Sequence, residues 1–193
     1  MFDGRVVEGF ISKKDCEYLI SLAIRLDLWE GAGYKFWDNR VTNYSTFLKH
    51  DKDAAKILLD ANFRCRQKIK KEYNLDHPVY SDTLQVIRWF PGMDQGPHAD
   101  DMSDTENKDH LHRSFGSVVY LNDNYEGGHT YYPNFNFEVK PKTGSLAFHP
   151  ATPDHLHGVT RVSNSIRYTL ASFWTFDINM SGFWNSEDFL GQL

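Results

Sequence analysis

Residues 157–174 read HGVTRVSNSIRYTLASFW, and this stretch decides the fold class. Two runs rich in β-branched and aromatic residues flank the polar turn SNS, a composition typical of two strands joined by a short connection. If the turn centres on Asn164, residue 171 lies opposite His157, and His157 and Arg167 point to the same face of a hairpin. The stretch therefore predicts β-structure with a histidine and an arginine on one side.

The same texture extends back to residue 82. Short β-branched and aromatic runs alternate with the turn clusters PGMDQGP, NDNYEGG, PKTG and VSNS. Many short strands separated by such turns indicate a jelly roll or a barrel. The predicted strands cover residues 83–90, 98–100, 115–121, 129–133, 136–140, 145–149, 156–162 and 166–176.

Two helices are predicted before the strands. Ser12 can cap the first helix, with Asp15 three residues later as a variant of the capping box. The second helix should run from about Asp51 to about Tyr73, because apolar residues recur there at three- and four-residue intervals. These residues are Ala54, Leu58, Ala61, Cys65 and Ile69.

The chain has 193 residues, enough for one domain with a real core. We expect an α+β fold, in which two or more N-terminal helices pack on one sheet of a jelly roll. The helical part covers about 1–80 and the jelly-roll core about 82–178 of a single domain spanning 1–193.

Charge and hydropathy limit the function classes. The formal net charge of -5 argues against a nucleic-acid-binding protein. No segment approaches the roughly 20 apolar residues of a membrane span, so we expect no membrane association and a cytoplasmic location. The two cysteines, Cys16 and Cys65, fall on apolar helix faces and are predicted to be buried thiols.

A metal site is predicted from His98 and Asp100. If residues 97–100 are extended, both side chains leave the same face of a strand and can reach one ion. Two imidazoles and one carboxylate are typical of non-haem Fe(II) oxygenases, so a second histidine is required. The candidates are His149, His155 and His157, and the hairpin pattern favours His157.

Arg167 points to an acidic co-substrate. A guanidinium buried beside a metal is costly unless it meets an anion, and its planar fork suits a carboxylate. The sequence therefore predicts that an organic acid is bound near the metal.

Residues 88–174 resemble the catalytic core of the 2-oxoglutarate and Fe(II)-dependent dioxygenases, most closely their prolyl 4-hydroxylase-like branch. Residues 7–23 resemble the opening helix of that branch. The segments that carry the resemblance are PHAD, VVYLNDNYEGGHTYYP, VKPKTGSLAFHP, HGVTRVSNSIRYTLASFW and, near the start, VEGFISKKDCEYLISLA.

The resemblance implies a double-stranded β-helix that holds Fe(II) on His98, Asp100 and His157. It implies that Arg167 binds the distal carboxylate of 2-oxoglutarate and that O2 is the other co-substrate, with ascorbate as a candidate accessory reductant. The expected reaction hydroxylates a prolyl residue in a peptide or protein and releases succinate and CO2. The carboxylate of Asp100 favours hydroxylation over halogenation.

Two positions depart from the pattern of this branch. Trp89 stands where the branch usually has a tyrosine that helps to hold 2-oxoglutarate, and Tyr120 is the alternative residue for that role. His129 stands where an acidic residue is common. It is either a substrate contact or, as we favour, a histidine in a surface turn.

Other interpretations stay open. The ligands suit a hydroxylase of a free amino acid or another small molecule equally well, and a jelly roll can bind metal as a sensor module without turnover. A cupin-like metalloenzyme would have no use for Arg167. The aromatic segment from Trp29 to Phe47 is either a substrate lip or core, and residues 101–113 have the composition of a lid.

Overall fold

The structure is a computed structural model that describes residues 2–31, 33, 35–103, 105–106 and 108–185. Its α-helices are α1 (Lys13–Arg25), α2 (Tyr44–His50) and α3 (Lys52–Glu72). Its strands are β1 (Arg5–Val7), β2 (Val41–Asn43), β3 (Tyr80–Ser81), β4 (Gln85–Trp89), β5 (Gln95–His98), β6 (Arg113–Tyr120), β7 (Thr130–Tyr132), β8 (Phe137–Val139), β9 (Leu146–Pro150), β10 (His157–Val159) and β11 (Arg167–Thr175).

The strands form two antiparallel sheets. The larger has the order β1-β9-β6-β11-β4-β2, with β3 pairing the end of β11, and the smaller has the order β5-β10-β7-β8. This arrangement agrees with the predicted jelly-roll class, and seven of the eight predicted strands overlap their counterparts among β4 and β6 to β11. The strand predicted at residues 98–100 is misplaced, because β5 covers Gln95–His98 and the chain turns after His98. The strands β1, β2 and β3 were not predicted, because two or three residues are too few to show a pattern of alternation.

The predicted hairpin at residues 157–174 is wrong. β10 pairs with β5 and β7 in the smaller sheet, whereas β11 pairs with β4 and β6 in the larger one. The partners of Ala171 are Gln85 and Val118, not His157. The connection between β10 and β11 thus crosses from one sheet to the other. The sequence does not reveal this, because a short polar turn has the same composition in a hairpin and in a connection between sheets.

Both predicted helix starts are confirmed. The Ser12 hydroxyl accepts a hydrogen bond from the Asp15 N–H at 3.1 Å. At the start of α3, the Asp51 carboxylate accepts the Ala54 N–H at 2.9 Å and the Tyr18 hydroxyl of α1 at 2.7 Å. Asp51 therefore caps one helix and connects it to the other.

Alternation along β11 divides the molecule into a core and a cavity. The even-numbered Tyr168, Leu170 and Trp174 join one hydrophobic cluster with buried residues of the helices. The odd-numbered residues from Arg167 to Phe173 line a cavity between the two sheets. From α1 and α3, the cluster includes Cys16, Leu19, Leu22, Leu58, Cys65 and Ile69. Both cysteines are buried free thiols, as predicted.

The aromatic segment between the first two predicted helices contributes both to the core and to the cavity wall, and its role as a substrate lip stays a prediction. Tyr44 and Phe47, on the unpredicted helix α2, are fully buried in the core. Trp37 instead lines the cavity. Tyr34 lies outside the described residues.

Among the residues that the structure describes, no helix combines the length and the apolar character that a membrane crossing needs.

Replacing Asp51 with alanine should lower the free energy of unfolding by about 1 kcal/mol, a usual loss for a helix N-cap. Asp51→Asn keeps a side-chain acceptor and should retain most of the stability. The hydrogen bond from Ala54 and that from Tyr18 lower the pKa of Asp51. The stabilisation should therefore be present at neutral pH and be lost as the pH falls through that pKa.

Urea denaturation of both variants at neutral and acidic pH measures these differences. Equal losses for the alanine and asparagine variants at neutral pH would contradict the capping role.

Candidate active site

The candidate site is a cavity between the two sheets. The larger sheet contributes side chains from β4, β6, β9 and β11, and the smaller sheet contributes them from β5, β7 and β10. Trp37, from the segment before β2, completes the wall. A jelly roll places its binding residues between two sheets in this way. The predicted site residues His157 and Arg167 both line this cavity.

His98, Asp100 and His157 converge. The Asp100 Oδ1 lies 3.8 Å from the His98 Nε2 and 3.5 Å from the His157 Nε2. One ligand atom from each residue lies within 4.8 Å of the others, close enough for the three to share a metal ion. The two histidines are register partners in the β5–β10 pair.

Asp100 reaches the site differently from the prediction. β5 ends at His98, and Asp100 lies in the turn that follows, so the two side chains do not alternate along one strand. The turn still directs the carboxylate toward the histidines. Asp100 is only 5% exposed, and its near neighbours are imidazole nitrogens.

Hydrogen bonds orient both imidazoles. The Nδ1 of His98 lies 3.1 Å from the Gly96 carbonyl oxygen, and the Nδ1 of His157 lies 3.1 Å from the His155 carbonyl oxygen. A carbonyl only accepts, so each Nδ1 carries the proton and each Nε2 offers its lone pair. Burial also lowers the pKa of His157 to about 3, which keeps this ring neutral. The donor set fits a divalent metal ion.

The other two histidine candidates have different surroundings. His149 lies in the cavity with its Nε2 3.7 Å from Asp100 Oδ2, outside the group of three converging ligand atoms. His155 contacts the carboxylate of Asp3 instead. Position in the fold therefore separates His157 from both alternatives.

Gly116 makes room for the Asp100 carboxylate. A Cβ atom added to Gly116 would lie 1.9 Å from Asp100 Oδ2 and 3.1 Å from His149 Cε1. Any side chain at this position of β6 must therefore displace Asp100. Sequence reasoning missed Gly116, because Gly116 and Asp100 belong to different segments and no sequence motif contains both.

Arg167 is a buried cation without a carboxylate. It is 2% exposed, and its Nε donates to the Gly128 carbonyl at 3.0 Å. Among the described residues, no acidic side chain pairs with its guanidinium. An unpaired buried cation is unfavourable, so the terminal nitrogens suit an anionic ligand such as a carboxylate of 2-oxoglutarate.

The two residues proposed beside Arg167 differ in what they can still bind. Trp89 lines the cavity, and its buried Nε1 has no hydrogen-bond partner among the described residues. The Tyr120 hydroxyl lies 2.6 Å from the Thr130 hydroxyl, so it already has a partner. The guanidinium carbon of Arg167 is 5.2 Å from the Trp89 ring and 5.4 Å from the Tyr120 ring.

The sequence comparison agrees with this geometry. Residues 84–175 match the family model of the 2OG-Fe(II) oxygenase superfamily. The matched range includes the three converging residues and Arg167, and it begins just before β4.

Two relatives are plant proteins. The chain is 33% identical over 150 residues to "Probable prolyl 4-hydroxylase 3" of Arabidopsis thaliana, covering 74% of this chain and 50% of the relative. It is 32% identical over 139 residues to "Prolyl 4-hydroxylase 1" of the same plant, covering 66% of this chain and 46% of the relative. The chain thus spans about half the length of these curated relatives.

Solved structures show the same fold. A viral collagen prolyl hydroxylase from Paramecium bursaria Chlorella virus-1, in complex with 2-oxoglutarate, matches with a TM-score of 0.66 at 21% identity. This match covers 89% of this chain and 94% of that one. A Pseudomonas putida prolyl-4-hydroxylase matches with a TM-score of 0.66 at 17% identity, covering 91% and 93%. At these identities the likeness concerns the fold.

Arg40 is a second buried cation beside the candidate site, and sequence reasoning missed it. It is 1% exposed, and its guanidinium carbon lies 4.4 Å from the ring centroids of Phe36 and Trp89 and 4.7 Å from that of Trp37. Burial and the neighbouring Arg167 lower its pKa to about 10. Because Trp37 and Trp89 line the cavity, Arg40 packs against two side chains of the cavity wall without lining the cavity itself.

The remaining predicted positions lie outside this cluster. The Nδ1 of His129 is 3.1 Å from Glu138 Oε1 at the surface, which supports the surface-turn interpretation. In the segment 101–113, residues 104 and 107 lie outside the described residues. The segment ends with His112 and Arg113 both 2.8 Å from Asp82 Oδ2, and a lid role stays a prediction.

Gly116→Ala should weaken metal binding by about tenfold or more, because the new Cβ displaces the Asp100 carboxylate. Gly96→Ala is the matched control, since a Cβ on Gly96 meets nothing within 4 Å. Titration with Co(II), followed by its visible absorption, measures both affinities. Metal binding by the Gly116 variant as tight as that of the unsubstituted chain would refute the assignment of Asp100 as a ligand.

Proposed function

We propose that this chain is a single-domain Fe(II)- and 2-oxoglutarate-dependent dioxygenase that hydroxylates a prolyl residue in a peptide or protein. One observation carries the proposal. His98, Asp100 and His157 converge in the same cavity as Arg167, a buried cation that has no acidic partner among the described residues.

His98, Asp100 and His157 would hold the iron. Two neutral imidazoles and one carboxylate on one side of a metal leave its other positions free for co-substrates. When bound, Fe(II) and 2-oxoglutarate supply the oxidising chemistry, in which one atom of O2 enters succinate, CO2 is released and the other atom enters the substrate.

The protein would position the co-substrate and the metal ligands and would exclude water from the site. Arg167 would bind the distal carboxylate of 2-oxoglutarate and so set the direction in which the keto acid enters the site. The carbonyls of Gly96 and His155 hold the imidazole rings in the ligating orientation. Apolar side chains such as Ile87 and Val159 exclude water from the same cavity. The helices on the opposite face of the larger sheet would keep its strands in place.

The prolyl substrate rests on the relatives, whose names describe prolyl 4-hydroxylases. Fold and metal site do not identify a substrate by themselves, so a free amino acid or another small molecule is the alternative. A non-catalytic sensor module is a weaker alternative, because it has no need of Arg167 in the metal cavity. The use of ascorbate and a cytoplasmic location stay predictions.

Succinate release tests the reaction. The protein is loaded with Fe(II) without oxygen, mixed with 2-oxoglutarate and exposed to air. His157→Ala should abolish succinate formation, and Arg167→Ala should be rescued only by high 2-oxoglutarate concentrations. His50→Ala, at an exposed position, is the control and should leave the rate unchanged.

Prolyl peptides test the substrate. A suitable peptide should increase succinate release, and mass spectrometry should map one added oxygen to a proline. Stimulation by a free amino acid alone would reassign the substrate. No succinate at any iron loading, with unaltered 2-oxoglutarate affinity in the His157 and Arg167 variants, would overturn the oxygenase proposal.

A further inference from the structure

The environment of Arg167 contains more hydrogen-bond donors than the fold uses. Its Nε donates to the Gly128 carbonyl, and the guanidinium also interacts by side-chain hydrogen bonds with the hydroxyls of Tyr120 and Tyr125. Trp89 Nε1, which is also buried, has no hydrogen-bond partner among the described residues, and the Tyr125 hydroxyl has none there besides Arg167. Buried polar groups are normally paired, so unpaired ones around a buried cation call for an explanation.

Tyr125 lies beside Arg167 although the two are far apart in sequence. It belongs to the connection between β6 and β7. A Cβ atom on Gly128 would meet the Tyr125 ring at 2.7 Å and the Arg167 Cδ at 2.9 Å, so both side chains pack against the same glycine. Tyr125 also packs against the small cluster that contains Trp89 and Val159, two residues of the cavity wall.

The Tyr125 hydroxyl is a donor. Burial raises the pKa of Tyr125 above its usual value, although the Arg167 cation acts in the opposite direction. The phenol therefore stays protonated at neutral pH. A protonated phenol, an indole N–H and a guanidinium can all donate, which suits the several lone pairs of a carboxylate.

Tyr120 is less suited to this role. It is fully buried, and its hydroxyl is already paired with the Thr130 hydroxyl at 2.6 Å. Either hydroxyl can be the donor in that bond, which uses part of the hydrogen-bonding capacity of Tyr120. The Tyr125 hydroxyl has no hydrogen-bond partner among the described residues besides Arg167, which only donates, so the Tyr125 O–H can donate to a ligand.

We propose that Tyr125 supplies the hydroxyl that binds the distal carboxylate of 2-oxoglutarate beside Arg167. Trp89 occupies the position from which a hydroxyl was expected, and the hydroxyl comes from the connection between β6 and β7 instead. This inference rests on the proposed use of 2-oxoglutarate.

Tyr125→Phe and Tyr120→Phe are matched tests, because each removes one hydroxyl from a neighbour of Arg167. The affinity for 2-oxoglutarate is measured by calorimetry without oxygen, on protein loaded with Mn(II). Tyr125→Phe should weaken binding by about tenfold, the effect expected for a hydrogen bond to a charged group. Tyr120→Phe should change it by less than about twofold.

A second ligand separates a direct contact from a general disturbance of the cavity. The acid 2-oxobutanoate has the keto acid end but lacks the distal carboxylate. Its affinity for the Mn(II) protein should be the same with and without the Tyr125 hydroxyl. A parallel loss for both acids would show a disturbed cavity and overturn the proposed contact.

Thermal unfolding supplies a readout independent of affinity. Without ligand, the Tm of Tyr125→Phe should be close to that of the unsubstituted chain, because the hydroxyl has no hydrogen-bond partner besides Arg167 among the described residues. With 2-oxoglutarate and Mn(II), its increase in Tm should be smaller.

The outcomes distinguish the two proposals. If Arg167→Ala weakens 2-oxoglutarate binding and Tyr125→Phe does not, the role of Tyr125 is wrong and the oxygenase proposal stands. If the unsubstituted Mn(II) protein does not bind 2-oxoglutarate at all, the proposed function fails, and with it the inference.

Discussion

The register between β5 and β10 sets His98 opposite His157, and the rest of the site is arranged around that pair. Strand pairing brings the two imidazoles together, carbonyl oxygens orient them, and the turn after β5 directs Asp100 to the same point. Gly116, on the facing sheet, leaves the space that the carboxylate fills. A metal site of this kind depends on backbone geometry as much as on its ligands, because the histidine rings are held from behind by main-chain groups.

The cavity has two electrostatically different regions. A buried carboxylate and imidazole lone pairs favour a cation around Asp100, whereas the buried guanidinium of Arg167, with Arg40 behind the wall, favours an anion. Among the described residues, Arg167 has no acidic partner, and the groups nearest to the Asp100 carboxylate are imidazole nitrogens. Such an arrangement is unfavourable for stability and suits a site that receives both a metal and an organic acid.

Short-range sequence patterns correctly predicted the starts and the buried faces of α1 and α3. The helix starts at Ser12 and Asp51 followed from capping chemistry, and the helix faces followed from three- and four-residue periodicity. The strands β4 and β6 to β11 followed from composition and turn clusters, whereas β5 lies earlier in the chain than predicted. The choice of His157 was supported by an incorrect hairpin, since His157 and Arg167 lie on different sheets and reach the same cavity from both sides.

Sequence patterns therefore indicated the jelly-roll class, the starts of α1 and α3 and the residue types of the site, because those features depend on neighbours within a few positions. The tertiary structure decided which sheet each strand joins and which distant side chains meet. Contacts such as Gly116 with Asp100, Arg40 with Trp89 and Tyr125 with Arg167 leave no periodic signal in the chain. They exist only once the two sheets pack face to face, and they set how much room and how many hydrogen-bond donors the cavity offers a ligand.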